Sequence, residues 1–283
     1  MIVGVSKDGS VTYFFWLSKA HELNPNTPFT LCEDKKRKFD NKTKAHGIEF
    51  YDRSVKRYDF PLLILNTQKC VLRGGFCGGK ISICPIEGLN NEPQSTLSAH
   101  QSTVTAIVTT HNERTVISGS KSGDVIVWSY IPTSATHNSS NEHNWHIRKH
   151  IFDHDGMINF IHINEEMSMY LTCSFDGSVN VYNLWTDSHI RKFQHPKLYP
   201  IHSAVLTQTP LSACCFYSRE DHYWYSYSLN DSSRMLEKQK EECSHIIAPH
   251  VVKDSHFMDR LIYGTEKGYL IFRQLPLLKQ VKK

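Results

Sequence analysis

Apolar and polar positions along the chain fall into a recurring pair: a β-prone run, a short turn containing glycine, and a second β-prone run that ends near an aromatic residue. The first copy is Ile2 to Val5, the turn Lys7, Asp8, Gly9, and then Val11 to Phe15. The pair returns as Cys70 to Cys77 and Ile81 to Ile83 around Gly78 and Gly79, and as Thr115 to Ser120 and Val125 to Trp128 around Lys121, Ser122 and Gly123. Tyr170 to Ser174 and Val179 to Tyr182 flank Asp176 and Gly177. A divergent copy spans Ala213 to Tyr217 and Tyr223 to Leu229, and a last one joins Leu261 to Thr265 with Tyr269 to Phe272 across Lys267 and Gly268. Valine, isoleucine and threonine dominate these runs and suit a pleated surface better than a helix.

The turn glycines at 79, 123 and 177 are 44 and 54 residues apart, and 91 residues from 177 to 268 span two units. Each unit is therefore about the length of one four-stranded blade. Further strands are expected at Thr103 to Thr109, Met157 to Ile163 and Ile201 to Thr207. Six blade-like units favour an all-β propeller over a sandwich or barrel, because radial repetition protects sheet edges. The expected organisation is one domain over residues 1–283, with polar insertions near 18–57 and 131–149. Thr133 to Asn144 is too polar to fold alone, so it reads as a loop leaving that domain.

Composition narrows the picture. Thirty-two Lys and Arg against 28 Asp and Glu give +4, too small an imbalance for a long nucleic-acid track. Lys35, Lys36, Arg37 and Lys38 form a local basic stretch, read as a solvated loop, with nuclear targeting or phosphate binding as the alternative. The N-terminus lacks the apolar run of a signal peptide, and no segment approaches the roughly 18 apolar residues of a membrane span, so a cytoplasmic setting is expected. The eight cysteines lie in strand-like segments, where they serve as small core hydrophobes.

Catalytic and metal chemistry find little support. Cys70, Cys77 and Cys84 recur every seven residues, Cys214 and Cys215 point to opposite faces of an extended segment, and neither set forms a Cys-x-x-Cys clamp. His245, His250 and His256 are the remaining metal candidates. Gly74 to Gly79 lies in a hairpin rather than before a helix, and no serine nucleophile elbow occurs, so no cofactor, small-molecule substrate or catalytic residue is expected and an enzyme is the weakest reading. RNA binding is the stronger alternative, because Trp145, His146, Arg148 and Lys149 interleave aromatic and basic side chains and Tyr223, Trp224 and Tyr225 cluster.

His100, the Ser118-Gly119-Ser120 run, Gly123 and Trp128 resemble a WD repeat, as do His154, Ser174, Asp176, Gly177 and Tyr182. More closely, nearly the whole chain resembles the C-terminal WD-repeat region of BEACH-domain proteins of the neurobeachin and LPS-responsive-anchor type. The polar excursion after Trp128, the Pro196 to Pro200 connection and the Tyr227 to Asn230 exit share that likeness. The resemblance implies a seven-bladed ring, so six units imply either a fragment of it or a shorter ring complete in itself. Gly78 and Ser122 stand in place of the turn aspartate, Cys84 in place of the aromatic, and Arg273 in place of tryptophan.

The resemblance also implies a polar network. Asp176 orients His154, whose other nitrogen meets Thr172 or Ser174, with Tyr182 closing the chain. His100, Ser118 or Ser120, and Trp128 form a second copy, with Ser122 as a weaker stand-in for the acid. These are structural roles. By the same resemblance the chain is expected to be a non-enzymatic scaffold that recruits proteins in vesicle trafficking, endolysosomal organisation or autophagy. Any membrane association would come through partners or parent-chain domains at the periphery of endomembranes. Trp145 and Arg148, helped by Lys121 and Lys80, are the expected protein contacts, an aromatic beside cations in a polar excursion.

Overall fold

The computed structural model describes residues 61–75, 78–85, 95–132, 144–209, 211–231, 233–241, 246–253, 258–265, 269–276 and 279–280, with the backbone of three strands before residue 50. Among the described residues every regular element is a β-strand. Residues 1–50 and 51–283 form two units. In the first, β1 (Ile2–Val5), β2 (Val11–Phe15) and β3 (Cys32–Arg37) make an antiparallel sheet. Strand β3 falls where the sequence suggested a solvated loop, with Lys35 and Lys36 paired in register to Tyr13 and Thr12. Charge does not prevent pairing at the edge of a sheet, where it discourages further strands from joining.

The second unit is a run of five four-stranded antiparallel sheets among the described residues. Blade 1 holds β4 (Leu62–Leu65), β5 (Cys70–Arg73), β6 (Lys80–Pro85) and β7 (Ser95–Ser98). Blade 2 holds β8 (Val104–Thr109), β9 (Thr115–Ser120), β10 (Val125–Tyr130) and β11 (Trp145–Ile151). Blade 3 holds β12 (Ile158–Asn164), β13 (Met169–Ser174), β14 (Ser178–Asn183) and β15 (His189–Gln194). Blade 4 holds β16 (Ile201–Thr207), β17 (Ala213–Ser218), β18 (Tyr223–Ser228) and β19 (Met235–Lys240). Blade 5 holds β20 (Ile246–Lys253), β21 (Asp259–Thr265), β22 (Leu270–Gln274) and β23 (Lys279–Gln280).

Each blade meets the next through its first strand, β4 to β8, β8 to β12, β12 to β16 and β16 to β20, which is the arrangement of a β-propeller. The middle strands are buried on both faces, so each supplies two cores. Val116, Ile126 and Trp128 join Leu72 and Ile81 of blade 1, while Ile117, Val125 and Val127 join Ile158, Tyr170 and Tyr182 of blade 3. Cys214 and Cys215 divide in the same way, the first packing toward Leu171 and Phe193 and the second toward Leu261 and Tyr263. This explains why the apolar runs here are continuous rather than alternating. Burial pushes the Cys70 thiol up to about 11 and that of Cys215 to about 12, as suits cysteines acting as core packing.

The repeat is exact enough to be read from register. Trp128 pairs with Val116, Tyr182 with Tyr170 and Arg273 with Leu261. Bulges recur immediately before Trp128, Tyr182 and Tyr227 in the third-to-fourth strand pairing, and near the start of β8, β12 and β16. They impose the added twist that a blade needs between its inner and outer strands.

Neighbouring blades are also clipped by carboxylates. Glu113, in the β8–β9 turn, accepts the backbone N–H groups of Asn66 and Thr67 of blade 1, each at 2.8 Å. Asp259 accepts from Gln208 N at 2.7 Å, Thr209 N at 3.1 Å and the Thr207 hydroxyl at 2.7 Å, all of blade 4. Glu165 likewise takes the backbone N–H of His111. Burial alone would raise the Glu113 and Asp259 carboxyls, but these donors outweigh it and hold both below the ordinary value.

The turns between second and third strands require glycine for a stated reason. Gly123 has φ +93°, and a Cβ there would lie 2.4 Å from the carbonyl oxygen of His154 in the next blade. Gly78 has φ +76° with open space around it. Gly78→Ala should therefore lose only the backbone term of about 1 kcal/mol, whereas Gly123→Ala should lose clearly more, about 2 kcal/mol or above, because the adjoining backbone must move. Urea unfolding of the two variants measures the difference. Equal losses would show that the blades do not abut at this turn.

Candidate protein-binding surface

Two blades carry a complete buried relay. In blade 2, Trp128 Nε1 donates to Ser118 Oγ at 2.8 Å, Ser118 Oγ lies 2.7 Å from His100 Nε2, and His100 Nδ1 lies 2.5 Å from Asp124 Oδ2. The Nδ1–H tautomer of His100 satisfies every member of this chain. In blade 3, His154 Nδ1 meets Asp176 Oδ2 at 2.9 Å and Nε2 meets Thr172 Oγ1 at 2.8 Å. Ser174, the other hydroxyl considered for His154, instead donates to Gly156 O at 2.8 Å. The Tyr182 hydroxyl donates to Asp153 Oδ2 at 3.0 Å and also bonds with the Thr172 side chain, so the aromatic closes the chain on the strand hydroxyl and adds a carboxylate before the histidine.

The expectation that Ser122 substitutes for the missing acid is corrected by the structure. Ser122-Gly123-Asp124 and Asp176-Gly177-Ser178 are the same turn with acid and hydroxyl exchanged across the glycine. Ser122 donates to Asp124 at 2.7 Å and Ser178 donates to Asp176 at 2.7 Å, so either order gives the histidine a braced carboxylate. Burial pushes each carboxyl up. The hydrogen bonds from His100, Ser120 and Ser122 to Asp124, and from His154 and Ser178 to Asp176, overcome that and hold both well below the usual carboxylate range.

Blades 4 and 5 solve the same problem with other side chains. Phe216 offers no hydroxyl at the place of Ser118, and buried His195 instead meets Asp221 Oδ2 at 3.2 Å, with the Tyr225 hydroxyl on the same oxygen at 2.5 Å. Stacked Tyr199 and edge-on Tyr225 enclose the His195 ring. In blade 5 Arg273 occupies the register position of Trp128, and Tyr263 that of Ser118. Glu241, in the connection leading into the blade, accepts from Arg273 Nη2 at 2.8 Å and from the Tyr263 hydroxyl, while Arg273 Nε donates to that hydroxyl oxygen at 2.7 Å. The departures Arg273 and Glu241 thus belong to one substituted unit.

The expected contact residues Trp145 and Arg148 are not in a loop. Both lie in β11, and only residues 133–143 of that stretch fall outside the described residues. Trp145 is 7% exposed and packs on Tyr130 in the core between blades 1 and 2. Arg148 clasps Asp187 of blade 3 with Nε at 2.7 Å and Nη2 at 2.9 Å, and Nη2 also donates to Leu184 O at 2.8 Å. Alternation along a strand turns Trp145 inward, and the bidentate fork spends the guanidinium between blades. Trp224, proposed with Tyr223 and Tyr225 as a base-stacking cluster, is fully buried against Tyr217 and Tyr263. Neither indole presents a face to a nucleic-acid base.

Lys80 and Lys121 do reach the surface, on the rim made by the second-to-third turns and the connections between blades. Phe175 stands in blade 3 where Lys121 stands in blade 2. With it on this rim are Phe152 and Leu198, the three being 66%, 41% and 58% exposed in the order Phe152, Phe175, Leu198. Hydrogen bonds fix their supports together. Asp155 N donates to Asp176 Oδ2 at 3.1 Å, and His195 N donates to Gly177 O at 2.8 Å, tying each connection to the turn that bears Phe175. Phe152 rests on His150 at 4.2 Å between ring centroids, and Phe175 on His202 at 5.5 Å. Asp153, Asp155 and Lys197, exposed on the same connections, and Lys121, exposed at the matching turn of blade 2, add charge to this rim beside the apolar side chains. Among the described residues no group of three or more His, Cys, Asp or Glu is placed to hold a metal. Of the metal candidates in the sequence, Cys77, His245 and His256 lie outside the described residues.

A depressed carboxylate contributes stability that is present above its unfolded value and is lost as the pH falls toward its folded value. Asp176→Asn should therefore lower the unfolding midpoint at pH 7, and its gap from the unsubstituted chain should narrow below about pH 4. Thermal melts across that range test this. A gap that stays constant with pH would contradict the braced-carboxylate assignment.

Comparison with known proteins agrees with this geometry. Residues 91–129 match the family described as WD domain, G-beta repeat, a span that holds all four members of the relay from His100 to Trp128. Over 94 residues, 33% of this chain, the sequence is 34% identical to the BEACH domain-containing protein lvsD of Dictyostelium discoideum, and the matched stretch is only 3% of that protein. The crystal structure of the computationally designed Ika8 protein is similar with a TM-score of 0.56 at 17% identity, covering 79% of this chain and 60% of that one, a likeness of fold alone. Repeat and relative point to a scaffold family rather than an enzyme family. Together with the blades and their relays, they support an all-β WD-repeat propeller similar to the WD-repeat region of a BEACH-domain protein.

Proposed function

We propose that the chain recruits proteins through the rim carrying Phe152, Phe175 and Leu198, in support of vesicle trafficking, endolysosomal organisation or autophagy on the cytoplasmic side of endomembranes. The observation that carries the reading is the pairing of three exposed apolar side chains with supports locked by buried relays. Ordered loops lose little freedom on association, so such anchors convert more of their contact into affinity. The pathway rests on similarity to BEACH-domain proteins.

Phe152→Ala, Phe175→Ala and Leu198→Ala combined should weaken a purified partner, identified by proximity labelling in cells, at least about tenfold while leaving the unfolding midpoint within a few degrees. Titration calorimetry with that partner provides the measurement. Unchanged affinity would remove this rim as the contact surface.

A further inference from the structure

The outer strands of three successive blades are charged in a way the whole chain is not. Strands β11, β15 and β19 together hold six Lys or Arg and a single acid, Glu237, against 32 and 28 over the sequence. Arg148 is committed to Asp187, but Lys149, Lys192, Lys238 and Lys240 are exposed. Lys238 additionally lies 4.0 Å over the Tyr223 ring.

Apolar side chains stand among these cations. Ile147 is 50% exposed, Trp185 in the β14–β15 turn is 58% exposed, and Ile190 and Met235 are exposed near the starts of β15 and β19. All four lie toward the end of the outer strands opposite to the rim bearing Phe152 and Leu198. They stand one or two to a blade. A peptide strand added to one sheet edge would use one blade, whereas an anionic surface lying across the end of the blades that bears Ile147, Trp185, Ile190 and Met235 can reach all three.

We infer that this outer edge of blades 2, 3 and 4 docks directly on an anionic lipid bilayer. Lysines are drawn to the negative surface potential, and an exposed tryptophan with single isoleucine and methionine side chains suits the headgroup boundary. This contact is separate from the protein-recruiting rim and does not depend on it.

Flotation of the 283-residue chain with phosphatidylcholine vesicles, with and without phosphatidylserine, is the test. Binding should require phosphatidylserine and weaken with added salt. Lys149→Glu, Lys192→Glu and Lys240→Glu combined should reduce partitioning about a hundredfold or more. Trp185→Ser with Ile190→Ser should reduce it about tenfold while leaving the salt dependence. The Phe152, Phe175 and Leu198 variant should bind vesicles normally, which separates this inference from the function proposed above. Equal binding to neutral vesicles, or full binding by the charge-reversed variant with an unchanged melting curve, would overturn it. Absence of vesicle binding alongside saturable binding to a polyglutamate peptide would overturn it in favour of an acidic protein partner.

Discussion

A histidine buried between two blades must have both ring nitrogens engaged, and most of the architecture follows from how that is done. The backbone carbonyls of His100 and His154 press on Gly79 and Gly123 of the preceding blade, while their imidazoles reach Asp124 and Asp176 of their own blade. Each histidine therefore joins two blades by its main chain and, by its side chain, the second strand of its blade to the turn that leads into the third. Removing a partner would strand a buried polar atom, at about 1–3 kcal/mol. The same connection that carries His154 also carries Phe152, so burial on one side of the loop fixes exposure on the other.

The four described relays show that the requirement is satisfaction, not residue identity. Blade 3 exchanges acid and hydroxyl relative to blade 2, blade 4 encloses His195 in tyrosines, and blade 5 replaces the set with Glu241, Tyr263 and Arg273. Burial holds the His195 imidazole below its ordinary value against the pull of Asp221. Carboxylate clips at Glu113 and Asp259 do on the opposite turns what the histidines do here. Polar groups are thus concentrated where blades meet, and between them the packing is apolar.

The strand–glycine–strand period was legible because a turn with positive φ leaves a glycine at a fixed place in every blade. His100, Ser118, Trp128, His154 and Asp176 could be named from their resemblance to a WD repeat. What spacing could not give was contact across blades. Asp124 escaped notice because it lies two residues from the usual acid position, and Glu241 because an acid stands there in place of the usual kind of side chain. Trp145 and Arg148 looked exposed because their neighbours are polar, yet strand alternation buries the first and Asp187 captures the second. The apolar rim carried no local signal at all. Phe152, Phe175 and Leu198 are far apart in sequence and come to one rim only when the blades stack.

The substituted relay of blade 5 offers the most direct test of this account. Glu241→His, Tyr263→Ser and Arg273→Trp, made singly, each leave a buried partner unpaired, whereas the three together recreate the side-chain types of His100, Ser118 and Trp128. Urea unfolding of the single and triple variants should show that each single change loses about 2 kcal/mol or more and that the triple change recovers a large part of the summed loss. Losses that simply add would contradict the claim that these positions act as one interchangeable polar unit holding the blade in place.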